Sequence, residues 1–182
     1  FTGGLVATAP SRVYLGGTIT AAGTGVLNIG APVTVSYNST VGGTSTGAIT
    51  LGAATLADGV TLTVGTGIAN TLSLSSVTGT ASGSASNLTI NTTGAVTVGT
   101  VGTDIGTITV TNSGGTTFNS TVGAATVAIT STTVGNTVSF SGNLTLTSGM
   151  TVGAGSAAYN VAILGGSNSV AGATDRKSTR LN

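Results

Sequence analysis

Short alternations of apolar residues with threonine or serine recur along almost the whole chain and restrict its fold more than any other feature. In an extended conformation, runs such as Val60–Val64 and Val33–Tyr37 place aliphatic side chains on one side and hydroxyl groups on the other. Segments rich in glycine, serine and asparagine separate these runs, whose centres recur roughly every 8–14 residues, as in all-β proteins. Further runs are Thr18–Thr20, Val26–Ile29, Ile49–Leu51, Leu72–Leu74, Ile108–Val110, Val127–Ile129 and Val138–Phe140.

The runs are weakly repetitive, which predicts a β-solenoid and disfavours a closed sandwich. Thr50–Ala57 is echoed by Thr121–Ala128, and Asn87–Gly99 by Asn143–Gly153. Because the repeats drift in length, we expect irregular turns of a parallel β-helix and not a rigid array. With about 20 residues per turn, residues 1–174 would form about eight turns and a rod about 40 Å long. The segment Gly79–Ser86 is expected to bulge from one turn as a loop, with a flexible joint as the alternative.

The scarcity of charge predicts a protein that is not an enzyme. Charged residues make up 4% of the chain, and before residue 175 they are only Arg12, Asp58 and Asp104. The sequence contains no histidine, cysteine, glutamate or tryptophan. Since catalysis and metal binding draw mainly on such side chains, we expect no catalytic residue, no metal site and no cofactor. The abundant β-branched residues favour an ordered chain over a disordered one.

Asp58 and Asp104 are both expected in turns between strands. Asp58 precedes Gly59, and an aspartate–glycine pair favours a tight turn. Asp104 lies between Gly102 and Gly106. Glycoside hydrolysis on β-helices usually needs paired carboxylates, and two isolated aspartates do not suggest such a pair. The glycine–aspartate repeats of calcium-binding β-rolls are absent as well.

The last eight residues, 175–182, differ in composition from the rest of the chain. They hold three of the four basic residues and one of the three acids, and they resemble the in-frame translation of a sequencing-library adapter. We therefore predict a solenoid domain over residues 1–174 and a non-native, disordered tail over 175–182, a natural basic tail being the alternative. Without the tail the net charge is slightly negative, so we expect no nucleic-acid partner. No apolar run is long enough to span a bilayer, so we expect no membrane insertion of this segment.

Threonines that flank one apolar residue suggest a second hypothesis, an ice-binding face. Such pairs occur in Thr18–Thr20, Thr61–Thr63, Thr107–Thr109 and Thr145–Thr147. An ice-binding ladder requires these pairs in register on one face, and their spacing along the chain is uneven. The β-propensity of threonine on a solvated face explains them more simply. The tyrosines at positions 14, 37 and 159 are too scattered for an aromatic girdle.

Phrases such as Gly94–Gly99 and Gly142–Gly149 resemble the repeat regions of filamentous-haemagglutinin-like adhesins and of autotransporter passengers. The resemblance implies a right-handed parallel β-helix, secretion to the bacterial cell surface, and a role in attachment or biofilm formation. It brings no motif of functional residues to this chain. We therefore predict a structural or adhesive segment of a longer extracellular adhesin, acting as a stalk or multivalent contact surface. Its partners would be neighbouring repeats and surface glycans or proteins of host or neighbouring cells.

Two other function classes remain open from the sequence alone. One is an ice- or carbohydrate-binding solenoid module with a specific flat face. The other is a self-assembling surface-layer or fibre protein, which the uncharged, β-rich composition favours.

Overall fold

The computed structural model describes residues 1–176, which form seventeen β-strands and no helix. The all-β prediction is therefore confirmed. The strands are β1 (Leu5–Val6), β2 (Val13–Ala21), β3 (Leu27–Ile29), β4 (Val33–Gly43), β5 (Ile49–Leu56), β6 (Thr61–Val64), β7 (Leu72–Gly79), β8 (Ser86–Asn91), β9 (Val96–Gly102), β10 (Ile105–Asn112), β11 (Thr116–Phe118), β12 (Val122–Ile129), β13 (Thr137–Phe140), β14 (Leu144–Val152), β15 (Asn160–Ile163), β16 (Ser169–Val170) and β17 (Ala173–Arg176).

These strands pair in parallel, each with a strand one turn away along the chain, and together they make three faces. Face A contains β1, β3, β11, β13 and β15, with the first parts of β5, β7 and β9. Face B contains the first parts of β2, β4, β12 and β14, the second parts of β5, β7 and β9, and β16. Face C contains the second parts of β2, β4, β12 and β14, with β6, β8, β10 and β17. The chain is thus a parallel β-solenoid of about eight turns, as the sequence predicts.

The core is a set of columns in which inward residues of successive turns lie over one another. One column of face A contains Leu27, Ile49, Leu72, Val96, Thr116 and Val138, and another contains Ile29, Leu51, Leu74, Val98, Phe118 and Phe140. All of these side chains are buried. Burial of one such aliphatic side chain contributes about 1.5–3 kcal/mol, so stability is distributed along the stack.

The turns differ in length, which confirms the predicted irregularity. The longest step along the chain joins Leu62 to its register partner Leu88, and one of the shortest joins Ile108 to Val127. The long turn contains the loop of residues 80–85 between β7 and β8. This segment therefore extends from one turn, as one of the two sequence hypotheses states.

The corner where face C passes into face A carries buried polar side chains in five consecutive turns. We call this set the polar ladder; it consists of Ser45, Asn70, Thr92, Ser113 and Thr132. The Asn70 side-chain amide donates to the carbonyl oxygens of Ser45 and Gly47, each at 2.7 Å. Through these bonds, one turn satisfies backbone groups of the preceding turn at a buried bend.

Thr92 repeats this role one turn later. Its hydroxyl oxygen lies 2.7 Å from the carbonyl oxygens of both Ile68 and Asn70. It also accepts the backbone N–H groups of Asn70 at 3.1 Å and Gly94 at 2.9 Å. The polar ladder therefore links successive turns through hydrogen bonds inside the protein.

The tail predicted over residues 175–182 lies mostly outside the described residues. Asp175 and Arg176 belong to β17, where their backbone is in register with Thr151 and Val152 of β14. Residues 177–182 lie beyond the part of the chain that the structure describes.

Candidate functional site

The two acidic residues before residue 175 lie at one corner, where face B passes into face C. Asp58 follows β5 and Asp104 follows β9, two turns further on. The loop 80–85 of the intervening turn lies between them, because the Gly59 N–H donates to the Ser84 carbonyl and the Ser86 N–H to the Asp104 carbonyl. The Asp58 carboxylate accepts the Thr80 hydroxyl. The turn positions predicted for both aspartates are confirmed.

Asp104 has an unusual conformation. It and Thr103 are the only non-glycine residues among those described with positive φ angles, at 59° and 33°. One carboxylate oxygen of Asp104, Oδ2, is buried without a hydrogen-bond partner beside a cavity of about 360 Å³. Across residues 1–176, no three histidine, cysteine, aspartate or glutamate side chains come together in a way that could hold a metal ion.

The threonine pairs named above do not share one face. Thr61–Thr63 and Thr107–Thr109 lie on face C, whereas Thr145 lies on face B, opposite Gly123. The structure does, however, form a threonine column on the outer side of face C. It comprises Thr18, Thr40, Thr63, Thr89 and Thr109, each in register with the next. Ala128 is the register partner of Thr109 in the next turn, and it ends the threonine column.

A shallow groove runs along the corner between faces A and B. Its volume is about 480 Å³, and its lining includes Thr50, Ser73, Thr97 and Asn119 from successive turns. Its floor contains Gly52 and Gly99, where a Cβ atom would collide with carbonyl oxygens of the preceding turn. The groove is thus a row of hydroxyl and amide groups over closely packed backbone.

The first two turns carry the most distinctive exposed group of side chains. Tyr14 on β2 is 72% exposed and Tyr37 on β4 is 74% exposed. The Arg12 guanidinium donates to the Thr34 hydroxyl at 2.7 Å, and Thr34 is the register partner of Tyr14. We call Arg12, Tyr14, Thr34 and Tyr37 the tyrosine–arginine patch. Its aromatic rings and cation lie on the outer surface of the solenoid.

A β-bulge places Tyr37 in this patch. Leu15 pairs with Val35 and Gly17 with Ser39, so residues 36–38 of β4 stand opposite Gly16 alone. The Tyr37 ring lies over that glycine, where an added Cβ would be 3.3 Å from Cδ2 of the ring. Since Gly16 follows Tyr14 by two residues in β2, the Tyr37 ring lies over a backbone position roughly 7 Å along the strand from that of Tyr14.

Sequence reasoning misses this patch because Tyr14 and Tyr37 are distant in the chain. Their separation equals about one turn of the solenoid, which becomes informative only once the turn length is known. The extra residues of the bulge have no sequence signature of their own. The third tyrosine, Tyr159, is partly buried, and its hydroxyl donates to the Gly153 carbonyl at 2.6 Å. Burial raises the pKa of Tyr159.

Comparison of the chain with family models, with curated proteins and with solved structures gave no match. Among the residues described, there is no helix that combines the length and the apolar character needed to cross a membrane.

Proposed function

We propose that the chain is a structural and adhesive repeat segment of a secreted or surface-anchored bacterial adhesin. The observation that supports this role best is the uninterrupted stack of parallel strands, which runs from β1 to β17 with aliphatic columns inside and hydroxyl columns outside. Such a stack grows by adding similar turns, so its length can change without a change of fold. About eight turns correspond to a rod of about 40 Å.

The outer surface suits weak contacts repeated along a rod. Hydroxyl side chains recur at intervals of about 4.8 Å along faces A and C, because register partners lie one strand spacing apart. A partner with its own repeating surface would meet many equivalent groups. Several weak contacts then combine into strong retention through the high effective concentration of the remaining contacts.

The adhesive role is tested with beads that carry the full chain at graded densities in flow over epithelial and bacterial cell layers. We expect retention to rise more steeply than in proportion to density, since several rods must act together. Beads that carry the same chain after thermal unfolding have identical composition and serve as the control. Equal retention of folded and unfolded chains at every density would contradict the adhesive role.

The stalk role is tested by pulling the two ends of the chain apart in a single-molecule force measurement. We expect turns to detach in successive steps of about 70 Å of contour length, since one turn of about 20 residues is released at a time. One abrupt loss of the whole solenoid at low force would contradict a load-bearing stalk.

The threonine column supports a second candidate function, binding to ice. Five stacked threonines present hydroxyl and methyl groups in a straight row on face C. The neighbouring outward column is less uniform, since it contains Thr61, Asn87 and Thr126. The measurement is thermal hysteresis of the folded chain, with a Thr63→Lys, Thr89→Lys variant as control. Absence of hysteresis in the unsubstituted chain would dispose of this candidate.

A further inference from the structure

We propose that the tyrosine–arginine patch binds an acidic saccharide, with sugar rings on Tyr14 and Tyr37 and a carboxylate on Arg12. This inference refines the adhesive role proposed above by naming a site and a ligand class. It has independent support in the geometry of the first two turns, and the experiment below separates its failure from failure of the adhesive role.

The aromatic rings are held outward by the backbone. Ser39 is buried and its hydroxyl donates to the Tyr37 carbonyl at 2.8 Å, which fixes one side of the bulge. Asn38 accepts the Thr61 N–H at 2.8 Å through its side-chain oxygen, which ties the bulge to the next turn. β-Bulges often redirect a side chain at a functional site. Tyr37 is thus exposed on a rigid support, which reduces the entropy lost when a ligand binds.

The arginine has unused hydrogen-bonding capacity. A guanidinium carries five N–H donors, and the bond to Thr34 uses one of them. A carboxylate of the chain that paired with Arg12 would occupy these donors. Asp58, however, accepts a hydrogen bond from Thr80 on a later turn, and Asp104 lies two turns beyond Asp58. An incoming carboxylate fits the planar donor fork of arginine in two-point fashion.

The composition of the patch selects an acidic sugar over other ligands. Tyrosine offers a rigid apolar ring with a polar hydroxyl, which matches the apolar C–H face and hydroxyl edge of a sugar. A nucleic acid would need several cations along its phosphates, whereas this patch has one. A stable protein partner would need roughly 1,000 Å² or more of complementary surface, far more than two rings provide.

The test is titration of the full chain with a hexamer of galacturonic acid, followed by tyrosine fluorescence and calorimetry. The chain has no tryptophan, and two of its three tyrosines lie in the patch, so a change in emission on titration reports mainly on the patch. The methyl ester of the same hexamer is the ligand control, because it keeps the sugar rings and removes the charge. We expect the acid to bind about fivefold more tightly than the ester at low salt and this preference to shrink in high salt.

Substitutions test which side chains of the patch contact the saccharide. We expect Tyr14→Ala and Tyr37→Ala each to weaken binding about fivefold to tenfold, and Tyr14→Phe to retain it. Arg12→Gln should remove the preference for the acid over its ester. Val134→Ala is the matched control, since Val134 is 73% exposed on a distant turn. All these side chains are exposed, so circular dichroism should show unchanged folding.

Three outcomes would overturn the proposed site. They are no binding of the galacturonate hexamer, equal binding by the Tyr14→Ala, Tyr37→Ala double variant, and equal binding of acid and ester. Retention of beads carrying that double variant in the flow assay distinguishes the two proposals. Unchanged retention would refute the site and leave the adhesive role intact, whereas loss of retention together with loss of hexamer binding supports both.

Discussion

The ring of Phe118 lies parallel to the ring of Phe140, one turn further along the chain, with ring centroids 4.8 Å apart. The register of β11 and β13 pairs these two residues directly. Both side chains are fully buried, in a column that contains leucine, isoleucine or valine in the preceding turns. The stack therefore fills the core of two adjacent turns with the two largest fully buried side chains.

Phe118→Ala should lower the free energy of unfolding by about 3–5 kcal/mol, because it leaves a cavity between two turns. Phe118→Leu keeps most of the volume and should cost less. Urea unfolding followed by circular dichroism measures both variants. Equal losses for alanine and leucine would show that the solenoid does not depend on filling this column.

Thr116→Val should stabilise the protein. Thr116 is fully buried in an inward column between Val96 and Val138, and its hydroxyl has no hydrogen-bond partner. Valine has nearly the same shape and avoids the desolvation of an unpaired hydroxyl, a gain of about 1 kcal/mol. A lower melting temperature for this variant would show that the hydroxyl is satisfied in solution.

Thr92→Val, the same substitution in the polar ladder, should have the opposite effect. The Thr92 hydroxyl bonds to groups of Ile68, Asn70 and Gly94. Removing it leaves buried backbone groups unpaired, at a cost of about 1–3 kcal/mol. Denaturant unfolding of both valine variants in parallel provides the comparison. An unfolding midpoint of Thr92→Val at or above that of the unsubstituted chain would contradict the proposal that the ladder stabilises the fold through its buried hydrogen bonds.

Gly99→Ala should prevent normal stacking of its turn, whereas Gly102→Ala should be tolerated. A Cβ on Gly99 would overlap the Ser75 carbonyl oxygen of the preceding turn, and backbone cannot move aside cheaply. A Cβ on Gly102 would meet its nearest neighbour at 4.0 Å, an ordinary contact. Melting temperatures of the two variants test this contrast, and similar values would mean that the corner can relax.

Stability should fall at alkaline pH because of Tyr159. Burial disfavours its anion, so its pKa in the folded chain lies above the ordinary value of 10.0. Above about pH 10 the unfolded chain loses this proton first, and the free energy of unfolding decreases as pH rises through the folded pKa. Below about pH 10 the contribution is fully retained. In Tyr159→Phe this part of the decline should be absent, as urea midpoints measured across the alkaline range will reveal.

The strands were predictable from sequence because the period of two is strong wherever threonine alternates with aliphatic residues. Val33–Tyr37 and Ile49–Leu51 lie in β4 and β5 with their aliphatic side chains buried. The turn positions of Asp58 and Asp104 follow from their glycine neighbours. Local pattern was sufficient for these features.

The surface arrangement was not predictable, because it depends on turn lengths that vary along the chain. Thr40 and Thr89 join one column only once those lengths are fixed. Tyr37 lies in the patch because of a β-bulge opposite Gly16, and no local sequence pattern predicts that bulge. The buried polar ladder likewise depends on which serine, asparagine or threonine falls at the corner.

The polar ladder places one buried polar side chain at the same corner of each turn from Ser45 to Thr132. Chain length varies most at a different corner, where face B passes into face C, as the loop 80–85 illustrates. Peptide epitopes grafted at residues 80–85 should therefore be displayed on the outside of the solenoid.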